Sequence, residues 1–133
     1  MIQFLQPAGW LPPKGYSNGV VACGRQVYIA GQIGWDGQRA IHSDVLSAQV
    51  AQALRNIVAI LAEAGGRPEH LVRLTWYVTS RDEYLAQSRE IGAAYRGVLG
   101  THFPAMALVQ VVALVEARAK VEIEATAVIP EAS

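Results

Sequence analysis

Two acidic residues stand on an otherwise apolar stretch near the end of the chain. The segment VEIEATAV places Glu122 and Glu124 on one face of a predicted strand, because the side chains of a strand alternate between its two faces. A carboxylate that lines a cleft can position water and transfer protons. An exposed polar face would give the same pattern, so the residues alone leave both interpretations open.

Two earlier positions are candidates for ligand contact. Gly31 lies in a predicted strand and is followed by Gln32. A glycine inside a strand often marks a bulge or a close approach of a ligand to the backbone, although a simple bend gives the same signal. Tyr16 lies in a loop rich in proline and glycine, where such residues more commonly form turns.

Composition limits the classes of function. The chain has 133 residues, which suits a single domain over residues 1–133. Eleven acidic residues balance eleven basic ones, which argues against binding to nucleic acid or to an anionic membrane surface. No apolar run reaches the roughly 20 residues that span a bilayer. Apolar residues make up 52% of the chain, more than a small core usually absorbs, so we predict a buried subunit interface.

Several familiar chemistries are missing. The three histidines are isolated and lack metal-ligand spacing, and the chain has no glycine-rich phosphate loop and no nucleophile elbow. We therefore predict no metal and no cofactor. Cys23 is the only cysteine, which fits a reducing compartment, and no signal peptide is evident, so we predict a cytoplasmic protein.

Hydrophobic periodicity predicts an α+β fold, with a mixed six-stranded sheet and two helices on one face. We expect a hairpin around Gly24-Arg25-Gln26, a first helix capped by Ser43 and ended by Gly65-Gly66, and a second helix that begins with a Ser80/Glu83 capping box. The strands are predicted at about 2–5, on both sides of that hairpin, and at 71–79, 105–113 and 120–129. The other face of the sheet is also largely apolar, and a partner subunit is its natural cover.

Together these segments resemble the Rid (YjgF) family of reactive-intermediate, or imine, deaminases. The resemblance rests on YSNGVVACGRQVYIAGQIGWD, on QVAQALRNIVAILAEAGG with LVRLTWYVT, and on FPAMALVQVVALV followed by KVEIEATAV. It implies a chorismate-mutase-like fold and a homotrimer whose sheets form a central barrel with three clefts between subunits. The best-known members hydrolyse 2-imino or enamine acids to 2-keto acids and release ammonia.

The resemblance also implies roles for particular residues. Glu122 would be the catalytic residue that holds or activates water. Tyr16 and the backbone at Gly31, next to Gln32, would bind the small-molecule ligand.

Three positions depart from the family pattern. The family's carboxylate-clamping arginine and the cysteine beside it correspond here to Met106 and Leu108, which we predict to line the cleft in their place. The helix position that often holds asparagine is Gly92. A thioether donates no hydrogen bond, and a buried carboxylate without a partner is costly.

We therefore expect a neutral or weakly polar ligand between aromatic walls from Tyr16 and Trp35, unless another cation enters the cleft. The other cations considered are Arg39, Arg89, Arg96 and His102.

Two functions follow from these residues. The first is hydrolysis of a reactive imine, enamine or related metabolite at an inter-subunit cleft. The alternative is a non-catalytic trimer that binds a small metabolite or has a regulatory role. A ribonuclease activity is attached to some family members, but the neutral charge and the absence of a basic stripe argue against it here.

Overall fold

The computed structural model describes residues 2–131, so residues 1, 132 and 133 of the predicted domain lie outside the described residues. The predicted α+β class is confirmed. The described strands are β1 (Ile2–Leu5), β2 (Gly19–Ala22), β3 (Arg25–Gln32), β4 (Leu71–Val78), β5 (Ala105–Gln110) and β6 (Val121–Ile129). The described α-helices are α1 (Leu46–Glu63), α2 (Arg81–Ala86) and α3 (Ser88–Leu99). None of these helices has the length and apolar character needed to cross a membrane.

The strands divide between a ribbon and a mixed sheet. Strands β3, β6, β4 and β5 form a four-stranded sheet in that order, with β4 and β5 parallel and the other pairs antiparallel. Strands β1 and β2 form a separate antiparallel ribbon. The segment just before β2 reaches β5 through a parallel bridge between Ser17 and Ala105, and the Ser17 amide donates to the Pro104 carbonyl at 3.0 Å. All six predicted strands are therefore present, but in two sheets joined at this bridge.

The predicted hairpin around Gly24 is wrong. Strand β2 pairs with β1, and β3 pairs with β6, so the chain changes sheets between them. Gly24 has a φ of +149°, and a Cβ at this position would lie 2.1 Å from the carbonyl oxygen of Ile129. Only glycine allows the backbone to pass so close to the end of β6. The glycine thus marks a crossing between sheets and not a hairpin turn.

The helices cover one face of the four-stranded sheet. Helix α1 packs against β3, β6 and α3. It buries an apolar stripe at helical spacing that includes Val50, Leu54, Ile57 and Leu61, each 0% exposed. Burying one such side chain stabilises the fold by roughly 1.5–3 kcal/mol. Beneath them, the alternate residues of β6 starting from Val121 are buried as predicted.

Helix boundaries agree only partly with expectation. Helix α1 begins three residues after Ser43, with Val45 at the N-cap and no side-chain cap, so the predicted cap is wrong. The Ser43 hydroxyl instead accepts from the Val45 amide at 3.0 Å, which shapes the preceding turn. Gly65, with a φ of +80°, ends the helix as predicted.

The second predicted helix is two helices. Ser80 caps α2 as predicted, because its hydroxyl accepts from the Glu83 amide at 3.0 Å. The Glu83 carboxylate accepts from Nζ of Lys120 at 2.7 Å and not from the Ser80 amide, so the second half of the predicted capping box is wrong. Gln87 interrupts the helix with φ −104° and ψ 19°, and its side-chain oxygen accepts from the Ser47 amide at 3.0 Å. The break thus fastens the α2–α3 pair to the first turn of α1.

A bulge in β4 changes which residues at the start of the strand face the core. The register with β6 shifts between Leu71 and Arg73, so the extra residue Val72 reverses the alternation at the start of the strand. Leu71 therefore joins Leu74 in the core, both 0% exposed, whereas strict alternation over residues 71–79 would place Leu71 on the same face as Arg73. From Leu74 onward the alternation is regular. We call the face without helices the open face.

Candidate functional site

The predicted site residues fall on opposite sides of the sheet. Met106 and Leu108 in β5 are paired in parallel register with Leu74 and Trp76, which belong to the core. They therefore lie on the helix side. Glu122 is on the open face, because its neighbours along β6 are buried. One chain cannot bring Glu122 and Met106 into the same cavity through a hydrogen-bonded sheet.

A cavity of about 510 Å³ lies on the helix side, at the edge of the sheet formed by β5. Tyr16, Met106 and Leu108 line it, together with residues of β4, α2 and α3. Its volume falls in the range of roughly 300–1,000 Å³ that is typical of small-molecule sites. The structure therefore brings three of the predicted residues together around one space.

Aromatic rings form much of the wall of this cavity. Trp76 and Tyr95 are stacked with centroids 6.4 Å apart, and Tyr95 and Phe103 are stacked at 5.2 Å. The Tyr95 hydroxyl donates to the His102 carbonyl at 2.6 Å, and burial raises the pKa of Tyr95, so it stays neutral near pH 7. The stack is a fixed, uncharged surface.

Two cations also line the cavity, Arg96 of α3 and Lys14 of the loop before β2. Arg96 lies one helical turn after Gly92, and a Cβ at Gly92 would lie 3.2 Å from Nη1 of Arg96. The guanidinium thus occupies the space that a side chain at position 92 would take. The expectation of an uncharged ligand held unless another cation entered the cleft, and Arg96, one of the cations considered, lines this cavity as an exposed residue.

The other cations considered do not line this cavity. Arg39 lies over the ring of Trp35, 5.7 Å from its centroid, and neither residue lines this cavity, so a Trp35 wall of an inter-subunit cleft stays a prediction. The His102 ring contacts the Leu71 carbonyl through Nε2 at 2.7 Å. Arg89 is exposed on α3 and is also not a lining residue.

On the open face, Glu122 lies directly over Gly31. A Cβ at Gly31 would lie 2.2 Å from Oε2 of Glu122 and 2.7 Å from its carboxyl carbon. The register of β3 against β6 shifts between Ile29 and Gln32, which is a bulge at this point. Gln32 donates through Nε2 to the Ala30 carbonyl at 3.0 Å and so braces the bulge. Gly31 is therefore needed for the Glu122 carboxylate to adopt this position.

The two acids of the open face have different surroundings. The Tyr77 hydroxyl donates to Oε1 of Glu124 at 2.8 Å. That hydrogen bond is the main cause of a raised pKa of Tyr77, followed by burial and by the negative charges of Glu124 and Glu122. Within residues 2–131, no side-chain hydrogen bond engages Glu122. Glu124 is thus held by a neighbour, whereas Glu122 is available to a ligand or to water.

Sequence reasoning missed Lys14 and Trp76 as cavity residues. Lys14 lies only two residues before Tyr16, which is the signal that could have placed it near the cleft. Trp76 and Tyr77 point to opposite faces of β4, and an aromatic residue in that pattern is typical of the core, so no signal in the sequence marks Trp76 as a cavity residue. In the part of the chain that the structure describes, no group of three His, Cys, Asp or Glu side chains is placed to hold a metal ion.

Comparison with known proteins supports a common origin for this arrangement. A family model described as endoribonuclease L-PSP matches residues 10–129. Protein DfrA of Myxococcus xanthus is 34% identical over 116 residues, with 85% of this chain and 84% of that protein covered. The 2-iminobutanoate/2-iminopropanoate deaminase of Salmonella typhimurium is 32% identical over 111 residues, with 81% and 83% covered.

A solved structure supports the same family relationship. The crystal structure of the Rid-family protein YyfB from Yersinia pestis, described as of unknown function, superposes with a TM-score of 0.81 at 34% identity. The match covers 96% of this chain and 98% of that one. The chain belongs to the Rid (YjgF) family, whose family model is described as endoribonuclease L-PSP.

Proposed function

We propose that this protein, as a single Rid-family domain over residues 1–133, hydrolyses a reactive imine or enamine in clefts between the subunits of a homotrimer. Glu122 is the catalytic residue. The observation that carries the proposal is the division of the candidate residues between the two faces of one sheet. A cleft that contains both groups must draw them from two copies of the chain. Sequence identity to two proteins named as imine deaminases supports the reaction class.

The open face supports assembly. Tyr28 is 74% exposed and Val109 is 47% exposed, although both lie on strands of the four-stranded sheet. Apolar side chains on such a face are best covered by another protein surface. Packing of the open faces of three copies covers this surface. It also carries Glu122 and Gly31 toward the edge of a neighbouring sheet, where β5 of that neighbour borders its cavity.

In this cleft Glu122 acts on water. The carboxylate removes a proton from water as the water oxygen adds to the carbon of the C=N bond, and it returns that proton to nitrogen, which gives a carbinolamine. Glu122 then takes the hydroxyl proton of the carbinolamine and delivers it to nitrogen, so that ammonia leaves as the C=O bond forms. The sum is one imine plus one water giving one carbonyl compound plus one ammonia. Met106 and Leu108 provide an apolar wall that limits access of bulk water to the ligand.

A non-catalytic trimer is the second candidate. It is favoured by Met106 and Leu108 themselves, since these positions give the cavity no hydrogen-bond donor. Such a protein would bind a small metabolite or have a regulatory role without releasing ammonia. We place either form in the cytoplasm, acting on a small molecule without a cofactor. The support for the compartment is the free and exposed Cys23, which fits a reducing environment.

The experiment measures ammonia release from a panel of freshly generated imines and enamines, with and without a 2-carboxylate. Glu122→Gln keeps the size of the side chain and removes its basicity, so release should fall to the uncatalysed rate. Glu124→Gln is the matched control, because it changes the neighbouring acid of the same face and should retain release. Native mass should show the same trimer for both variants. Release by wild type at only the uncatalysed rate would support the binding function instead, and catalysed release by Glu122→Gln equal to that of wild type would exclude Glu122 as the catalytic residue.

A further inference from the structure

We infer that the cavity takes a ligand that carries a carboxylate on a flat aromatic body, and that the carboxylate pairs with the guanidinium of Arg96. This inference rests on the proposed function, because it assigns the ligand class of the same cleft. It replaces the uncharged ligand expected from the sequence. Two features of the cavity carry it: its charge and its aromatic walls.

The charged residues of one chain that line the cavity are both cations. Arg96 and Lys14 line it, and no Asp or Glu among residues 2–131 does so. Neither cation forms an ion pair within that range, where the pairs involve other residues. Within one chain, two cations without an ion-pair partner beside low-dielectric walls create a positive potential that attracts an anion, and the proposed cleft adds Glu122 of a second subunit as its acid. A carboxylate can accept two parallel hydrogen bonds from one guanidinium.

Arg96 also has a second structural explanation, as a cation near the C-terminus of α3. Helical side chains lean toward the N-terminus, and Nη1 of Arg96 lies over Gly92, one turn back from its own position. The guanidinium is thus carried away from the last carbonyl groups of the helix, where a cation is most favourable. Its position over a glycine at the cavity wall is better explained by a role in the cavity.

The aromatic walls of the cavity indicate the shape of the uncharged part of the ligand. The rings of Trp76, Tyr95 and Phe103 are stacked, and Tyr16 and Tyr84 also line the cavity. Aromatic rings favour offset-stacked or edge-to-face contact with another ring. The volume of about 510 Å³ is suited to a ring-sized body and exceeds the space that a three- or four-carbon acid fills. An aromatic carboxylate uses both the charge and the walls.

The test is calorimetric binding of two stable probes of the same shape, 3-phenylpropanoate and 3-phenylpropanamide. Wild type should bind the acid about tenfold or more tightly than the amide, as expected for a charge-assisted pair. Arg96→Gln should remove that preference while it retains affinity for the amide, which also shows that the variant is folded. Gly92→Leu, which fills the space of the guanidinium, should act in the same way. Arg89→Gln, on the same helix but outside the cavity, should keep the preference.

Three results would overturn the inference: no binding of either probe to wild type, equal binding of both, or a preference that survives Arg96→Gln. None of these depends on ammonia release. If the acid preference is present but no imine is hydrolysed, the proposed function fails and the ligand class stands. If Glu122→Gln abolishes hydrolysis but wild type shows no acid preference, the proposed function stands and this inference fails.

Discussion

The contact between Gly31 and Glu122 leads to a substitution with separable effects on activity and stability. In Gly31→Ala, the new methyl group would lie 2.2 Å from Oε2 of Glu122, 2.7 Å from its carboxyl carbon and 2.8 Å from Cγ. The carboxylate must therefore move. Glu122 is only half-buried and its side chain is flexible, so it can rotate away with a stability cost below about 1 kcal/mol. A displacement of about 1 Å in a reacting group costs roughly 10²-fold in rate.

Two nearby glycines provide matched controls. A Cβ at the buried Gly34 would lie 2.6 Å from Cβ and 2.8 Å from Cα of Gln49, and this backbone cannot rotate away. Gln49 is 1% exposed and donates to the carbonyls of Ser43 and Arg118 at 3.0 and 3.1 Å. Gly34→Ala should thus destabilise the protein by about 1–3 kcal/mol. At Gly37, no atom lies within 4 Å of the position that a methyl group would take, so alanine should be tolerated there.

The assays are ammonia release and thermal unfolding at one fixed protein concentration. Gly31→Ala should lose most of its activity with little change in Tm. Gly34→Ala should lower Tm by several degrees, as expected for this free-energy change in a domain of this size. Gly37→Ala should change neither. Full activity in Gly31→Ala would refute the reasoning, because the Glu122 carboxylate could then leave its position over the bulge without consequence.

Further predictions concern the scaffold. Leu54→Ala should lower the free energy of unfolding by about 2–5 kcal/mol in chemical denaturation, since Leu54 is 0% exposed in the core; a loss below about 1 kcal/mol would contradict that packing. Ser80→Ala should cost about 1 kcal/mol through loss of the hydrogen bond to the Glu83 amide, and an unchanged unfolding midpoint would show that the cap contributes nothing. The hydrogen bond from His42, with two backbone donors, holds the pKa of Asp36 at about 2, below its ordinary value of 3.8. The resulting stabilisation is present above pH 3.8 and is lost as pH falls through about 2. In His42→Ala, NMR titration of the Asp36 carboxyl carbon should show a higher pKa, and an unchanged value would refute the pairing.

The elements that the sequence predicted well are those decided by local periodicity. The alternation from Val121 to Ile129 and the apolar stripe of α1 appear as expected, because burial of one face determines both patterns. The end of helix α1 at Gly65 was also predicted from a local signal, the glycine itself. The hairpin at Gly24 was predicted wrongly. A glycine is needed there because the backbone passes close to the distant residue Ile129, and no local sequence pattern reveals that contact.

The candidate site was predictable in its residues but not in its geometry. Alternation places Met106 and Glu122 on known faces of their own strands, yet only the register between strands shows that these faces are opposite. The proposed role of Arg96 depends on the space above Gly92, which only the folded chain defines. Sequence reasoning therefore found the wall of the cavity and the acid, but it could not determine which cation entered the cavity.

Subunit mixing tests most directly whether the cleft is shared between chains. Glu122→Gln removes the acid of one side, and Met106→Trp fills the cavity on the other side, so each variant alone should be inactive. In trimers reassembled from an equal mixture, a cleft with an intact acid from one chain and an intact cavity from another should arise in about a quarter of cases, and ammonia release should recover to about that fraction. Mixed trimers as inactive as the two separate variants would contradict a cleft built from two chains.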